Sequence, residues 1–182
     1  MEFEIEGVKV RIIRGDITDQ TTNAIVNAAN SSLMGGGGVD GAIHRRGGPK
    51  IREECMRIRA TAWPDGLPTG KAVITSGGAL KASFVIHTVG PVWHGGRASE
   101  PILLADAYRN SLKLAISMGL KSVSFPSIST GAYGYPIEEA SRIALTTVQE
   151  VLEKDNTLNE VVFVLFSQQD VEIYVTTAQE IF

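Results

Sequence analysis

Hydrophobic and polar positions follow two periods along the chain. Val8, Val10 and Ile12 alternate with Lys9 and Arg11, the period-2 pattern of a half-buried strand, and the acidic N-terminus that leads into them, MEFEIEGVKV over residues 1–10, is already strand-like. Gly15-Asp16 marks a turn. Ala24-Ile25-Val26 then runs wholly apolar, as expected of a strand buried on both faces. Residues 39–46 and 49–60 read as helices, divided by Gly47-Gly48, with Pro49 acceptable at a helix start. Residues 73–75 and 84–89 read as strands on either side of the turn-rich Ser76-Gly77-Gly78. Leu104, Tyr108, Leu112 and Ile116 recur at helical spacing up to a stop at Gly119. Residues 122–125 form a strand, and a helix opening at Pro136 buries Ile137, Ala140, Ala144, Val148 and Val151. Residues 161–166 make the last strand, followed by a helix with Val171, Tyr174, Val175, Ala178 and Phe182 on one face.

Strands alternating with helices, several of them uniformly apolar, predict an α/β fold with a largely parallel sheet covered on both faces. In such folds ligands settle beyond the carboxyl ends of the strands. Two glycine-bearing loops fall there, GGGGVDG over residues 35–41 and SISTGAYG over residues 127–134. Four consecutive glycines cost backbone entropy, and the apolar residues flanking them, Val26 on one side and Val39, Ala42 and Ile43 on the other, argue against a flexible linker. Bare main chain at two helix N-termini is suited to a phosphate or diphosphate, because backbone N–H groups approach its oxygens where a β-carbon would obstruct.

Composition narrows the classes without choosing among them. A chain of 182 residues with 43% hydrophobic and 20% charged residues suits one domain, 1–182, and its apolar runs are too short to cross a bilayer. The N-terminus lacks a basic and apolar export signal, and the single cysteine, Cys55, excludes an intramolecular disulfide; both lead to an expected cytoplasmic location. Cys55 falls in a helical pattern and reads as a buried apolar residue. The net charge of -3 disfavours broad capture of nucleic acid, since phosphate-backbone binders carry a basic face.

Several familiar motifs fail on context. Gly36, Gly38 and Gly41 satisfy G-x-G-x-x-G, yet residues 27–34 separate the loop from its strand and no acidic residue closes a neighbouring strand. GLPTGKA lacks both the first glycine and the hydroxyl residue of a P-loop. SxSxG at residues 127–131 resembles a nucleophile elbow, but no histidine follows His94. His44, His87 and His94 show no metal spacing, so no metal or cofactor is expected, and His87 within a strand reads as a satisfied core histidine. Asp40 fits a helix N-cap as well as a functional acid, Asn27 and Asn30 fit turn positions, and Asp16 fits a side-chain brace for the Gly15 turn.

Taken together, GDIT at 15–18, VNAAN at 26–30, GGGGVDGAIHRRGG at 35–48, PTGKAVIT at 68–75, IHTVGP at 86–91 and SISTGAYGYP at 127–136 resemble the macrodomain family in type and order. The match is similar to the MacroD-like branch, including small bacterial O-acetyl-ADP-ribose deacetylases, and extends from about residue 8 to Phe166. The resemblance implies a three-layer α/β/α fold with a mixed, mostly parallel six-stranded sheet and a cleft for ADP-ribose. It implies that Asp16 accepts from the adenine amino group with support from the Ile17 amide, and that Asn30 holds the distal ribose. Gly37, Gly38, Val39 and Asp40 would line one side of the diphosphate and ribose, with Ser129, Thr130, Gly131, Ala132 and Tyr133 opposite. Phe166 would stack on adenine, a role set against an ordinary place in the core.

The same resemblance implies hydrolysis of O-acetyl-ADP-ribose and removal of single ADP-ribose units from acidic side chains of modified proteins, both ester cleavages on the distal ribose. Asp40 would direct the attacking water and Asn30 would fix the sugar. A carboxylate at a helix N-terminus is expected to have its charged form stabilised, making it a weak base, so substrate phosphate would share in activating the water. Leu67 departs from the cysteine that close relatives often carry before PTG, at a place expected to lie outside the cleft. The rival readings are an ADP-ribose reader without chemistry and a protein that binds RNA or poly-ADP-ribose, the latter disfavoured by the acidic charge balance.

Overall fold

The computed structural model describes all residues, Met1–Phe182. Seven strands, β1 (Glu2–Ile5), β2 (Val8–Arg14), β3 (Ala24–Ala29), β4 (Ala72–Ser76), β5 (Phe84–Val89), β6 (Ser122–Phe125) and β7 (Glu160–Leu165), form one sheet in the order β1-β2-β7-β6-β3-β5-β4. The inner pairs are parallel, and the two edges, β1 on β2 and β4 on β5, are antiparallel. The expected six strands therefore become seven. The additional one arises because Glu6 and Gly7, both at positive φ, fold the N-terminal stretch into a hairpin, where the alternation alone reads as one continuous strand.

Five helices cover the sheet: α1 (Gly38–Gly47), α2 (Pro49–Ala60), α3 (Glu100–Ser117), α4 (Ile137–Lys154) and α5 (Gln168–Ile181). Strand periodicity divides the apolar residues between the two faces. Val26, Ile86, Val161 and Phe163 join Leu104, Tyr108, Ala144, Val148 and Tyr174 in the larger core under α3, α4 and α5. Ile25, Val85, Val162 and Val164 join Ile43, Ile51, Cys55 and Leu67 in the smaller core on the opposite face. The result is the expected three-layer arrangement, with Cys55 buried as read from its pattern. No helix is long and apolar enough to cross a membrane.

Helix ends follow their local chemistry. Gly119, at φ +72, stands just past α3, where the chain needs a left-handed residue to leave the helix. Pro136 caps α4 from outside and is not its first residue; its own φ suits a helix start, but the cap carries an extended ψ. The parallel strands β3, β5, β6 and β7 all end on one side of the sheet, and the loops that leave them form a single depression there.

Candidate functional site

The depression has a volume of about 420 Å³, within the range of small-molecule sites. One wall is the glycine loop and the first turn of α1, from Gly36 to Asp40; the other is the segment from Pro126 to Tyr133, between β6 and α4. Ala28, Ala29, Asn30 and Gly90 form its floor, and Val164, Leu165, Phe166 and Asp170 close one end. Both walls share an electrostatic property. None of the backbone amides from Gly36 to Asp40, nor those from Ser129 to Tyr133, donates to an acceptor within the chain. Gly37 caps α1 without a side chain, so the amides and the positive end of the helix dipole remain available to an anion.

The second wall is braced from below. The Tyr108 hydroxyl accepts from the Ile128 amide at 3.0 Å and donates to the Pro126 carbonyl at 3.3 Å. Ser127 Oγ lies 2.9 Å from the Tyr174 hydroxyl and accepts from Thr130 Oγ1 at 2.8 Å. Ser129 is held in the left-handed region at φ +69, unusual for a residue with a β-carbon. The Tyr135 amide donates to the Ser129 carbonyl across this bend at 2.9 Å.

The four glycines divide their tasks. Gly38 needs its positive φ of +56 to start the helix. Gly36 sits tightly: a β-carbon there would stand 3.2 Å from Asp40 Oδ2 and 3.3 Å from Asn30 Nδ2, so either polar end would have to give by a few tenths of an ångström. The same geometry shows that these two polar atoms converge on one point of the cleft. Asn30 fulfils the expected turn role as well, its Oδ1 accepting from the Ser32 amide at 3.0 Å while Nδ2 donates to the Gly35 carbonyl at 3.0 Å.

Asp40 is not the helix cap that its residue type suggested. It is the third residue of α1, only 5% exposed, and its Oδ1 accepts from Asn27 Nδ2 at 2.8 Å with His44 Nε2 at 3.4 Å. Burial raises its carboxyl above the usual range, outweighing the Asn27 hydrogen bond and the proximity of His44. This desolvation works against the stabilised anion expected of a carboxylate at a helix N-terminus. Asn27 is likewise not a turn residue: it lies inside β3, fully buried, beside His87 of β5. His87 is the satisfied core histidine that was expected, with Thr75 Oγ1 at 3.0 Å and Asn27 Nδ2 at 3.1 Å.

Of the anticipated site residues, Asn30, Gly37, Gly38, Val39, Asp40, Ser129, Thr130, Gly131, Ala132, Tyr133 and Phe166 come together around the cleft. Phe166 is 63% exposed just beyond β7, so the alternative core role is wrong: the strand ends one residue before it, at Leu165. Asp16 and Ile17 do not line the cleft. Ile17 is buried in the smaller core, and Asp16 Oδ1 caps a short 3-10 turn by accepting from the Thr18 amide at 2.9 Å and hydroxyl at 2.6 Å. Leu67 is buried in the smaller core, away from the cleft as expected. The sequence reading missed Gly90 and Asp170, and took in Ser127 and Ile128 only as part of the 127–134 loop without giving them a role. Gly90 follows the carboxyl end of β5, so the rule that found the other two loops also applies to it.

The chain matches the Macro domain family over residues 26–144. It is 57% identical over 173 residues to a Macro domain-containing protein of Caldanaerobacter subterraneus, covering 95% of this chain and 97% of that one. It is 49% identical over 166 residues to the O-acetyl-ADP-ribose deacetylase of Citrobacter rodentium, covering 91% and 93% respectively. Among solved structures, the Oceanobacillus iheyensis macrodomain with ADP superposes with a TM-score of 0.96 at 48% identity, covering 99% of this chain and 95% of that one. With this fold, this cleft and these relatives, the chain belongs to the Macro domain family.

Proposed function

We propose that this protein binds ADP-ribose and hydrolyses esters carried on its distal ribose, with O-acetyl-ADP-ribose and mono-ADP-ribosylated acidic side chains as the substrate class. The observation that carries this reading is the pair of unpartnered amide arrays facing each other across a cleft, with Asp40 Oδ2 and Asn30 Nδ2 converging beside one of them. The arrays suit a diphosphate. Phe166, exposed at the far end, suits a purine face, which leaves the second ribose beside Asp40. Relatives that carry the deacetylase name and a neighbour solved with ADP support the same substrate class.

In this mechanism Asp40 takes a proton from a water that attacks the acyl carbon, the bond from that carbon to the ribose oxygen breaks, and the proton held by Asp40 passes to the departing oxygen, giving a carboxylic acid and the free sugar hydroxyl. The upward shift of its carboxyl brings Asp40 closer to the working range of a general base. Asn30 holds the glycine loop through Gly35 and retains one amide hydrogen for the sugar. Adenine recognition by Asp16 and the Ile17 amide belongs to this proposal as an approach from the rim, since neither residue lines the cleft.

Incubation with O-acetyl-ADP-ribose and measurement of released acetate tests the reading. Asp40→Asn is expected to slow turnover by about 10²- to 10⁴-fold, the usual worth of a positioned acid-base group, while ADP-ribose still binds in calorimetry. Wild-type turnover in that variant rules out Asp40 as the base. ADP-ribose binding without acetate release from the unaltered protein identifies a reader module.

A further inference from the structure

We propose that His87 is a positioning residue for the ester hydrolysis, acting through Asn27 to keep the Asp40 carboxylate oriented for the attacking water. This rests on Asp40 being the base. Neither His87 nor Asn27 lines the cleft; both lie fully buried on the sheet face beneath α1 and α2. Asn27 on β3 pairs directly with His87 on β5, and Thr75 on β4 reaches the same ring diagonally, two residues along from Val73, the register partner of His87; the three form a polar line through an otherwise apolar layer.

The hydrogen bonds fix every donor and acceptor in that line. Asn27 Nδ2 can only donate, so His87 Nδ1, 3.1 Å from it, accepts; the neutral ring then carries its proton on Nε2, which donates to Thr75 Oγ1 at 3.0 Å and leaves the hydroxyl hydrogen for the Ser76 carbonyl at 3.0 Å. Nδ1 thus takes one hydrogen of the Asn27 amide. The other hydrogen goes to Asp40 Oδ1 at 2.8 Å. Rotating the Asn27 amide by half a turn would set its oxygen against two acceptors at once, His87 Nδ1 and Asp40 Oδ1. His87 therefore holds the amide in the one orientation that favours an ionised Asp40. Asn27 Oδ1 itself has no partner in the chain, so apart from the Asp40 carboxylate only His87 pins the amide.

The groups around this line leave His87 as a neutral acceptor. Asn27 faces it from β3, Thr75 from β4, Cys55 Sγ from α2 at 3.8 Å, and the His44 ring from α1 at a centroid distance of 6.2 Å. Burial, with a smaller push from His44, lowers its pKa to about 3, and burial, aided by Asp40 and Glu54, pushes the Cys55 thiol up to about 12. Asp40 is faced by Asn27 and by His44 of its own helix.

Two substitutions separate positioning from packing. His87→Phe keeps the ring volume and removes the acceptor; His87→Asn leaves a void but supplies an oxygen near the Nδ1 position. We expect His87→Phe to lower kcat by about 10- to 100-fold, as for a misplaced catalytic group, with KM unchanged, and to move the acid limb of kcat against pH upward. The limb moves because the freed amide can turn its oxygen toward a protonated Asp40. His87→Asn is expected to restore both the rate and the limb toward wild type. A packing role predicts the reverse order, and that order, or a His87→Phe variant with wild-type kcat and acid limb, overturns the proposal.

Nitrogen-15 NMR of the unaltered protein gives a reading independent of any variant's folding. A His87 with the proton on Nε2 is expected, and a proton on Nδ1 overturns the proposal. Failure of the underlying reading looks different: Asp40→Asn then retains turnover whatever the His87 tautomer. A slow Asp40→Asn beside an unperturbed His87→Phe removes this inference alone.

Discussion

Gly90→Ala tests the second wall of the cleft by a clash of known size. A β-carbon at this position would stand 2.2 Å from Ser129 Oγ and 2.5 Å from Ile128 Cγ2. Carbon atoms pack at about 3.5–4.0 Å, so relief requires a retreat of about 1 Å by the segment that begins the amide array. Local rotation offers little escape, because Ile128 is fully buried and its amide is held by the Tyr108 hydroxyl. Overpacking of this kind costs about 1–3 kcal/mol in stability. A misplacement of about 1 Å in a positioning element costs up to about 10²-fold in function, so the Kd for ADP-ribose is expected to rise by about 10- to 100-fold. Urea unfolding and titration calorimetry read the two effects separately. Gly37→Ala is the clash-free comparison: its φ of -93 suits any residue and nothing lies within 4 Å of the new carbon, so its stability cost should stay within about 1 kcal/mol, the amount by which alanine is the poorer helix cap. An unchanged Kd in a folded Gly90→Ala variant would mean that the 129–133 amides do not hold the ligand.

Three further outcomes follow from particular contacts. Phe166→Ala should weaken ADP-ribose binding by about 1–3 kcal/mol, as for loss of one base-stacking platform, with stability within about 0.5 kcal/mol of wild type because the ring is 63% exposed; calorimetry and urea unfolding check the pair. Asp16→Ala should cost about 0.5–2 kcal/mol of stability by removing the cap on the Thr18 amide, and a separate loss of about 1.5–3 kcal/mol in ADP-ribose binding is expected if its second oxygen reaches the adenine amino group. Glu100, buried at the start of α3, accepts from the amides of His94, Gly96 and Ala98. Burial opposes its ionisation, yet these bonds outweigh burial and hold the carboxyl at about 2. A lowered pKa gives stability that is complete above the ordinary value of 4.5 and is lost as the pH falls toward 2. Urea midpoints measured from pH 5 to pH 2 should fall more steeply in the wild type than in Glu100→Gln; parallel curves would remove that role.

The element order was legible because each strand and helix carries its own period. β5, β6 and the second helix match their expected bounds, most other ends shift by one or two residues, and β3 runs three residues further than expected. The order of strands across the sheet was not, since β2 pairs with β7 over a separation that no local pattern records. The cleft was legible through its glycines and hydroxyl residues, whose types serve main-chain exposure. Asn27 was misread because a polar residue at the end of an apolar run looks like a turn, and only its cross-strand neighbour His87 explains it. The burial of Asp40 was hidden for a similar reason. An acidic residue near a helix start normally caps it in solvent, whereas here Gly37 takes the cap and the first turn of α1 carries Asp40 down onto the sheet.

A crystal structure of the protein with ADP-ribose is the most direct test of the central claim. The diphosphate oxygens are expected within about 2.7–3.2 Å of amides from both walls, the Gly37–Asp40 turn and the 129–133 segment, with the distal ribose against Asp40 Oδ2. A diphosphate held by side chains elsewhere, with these amides turned away from it, would contradict the account.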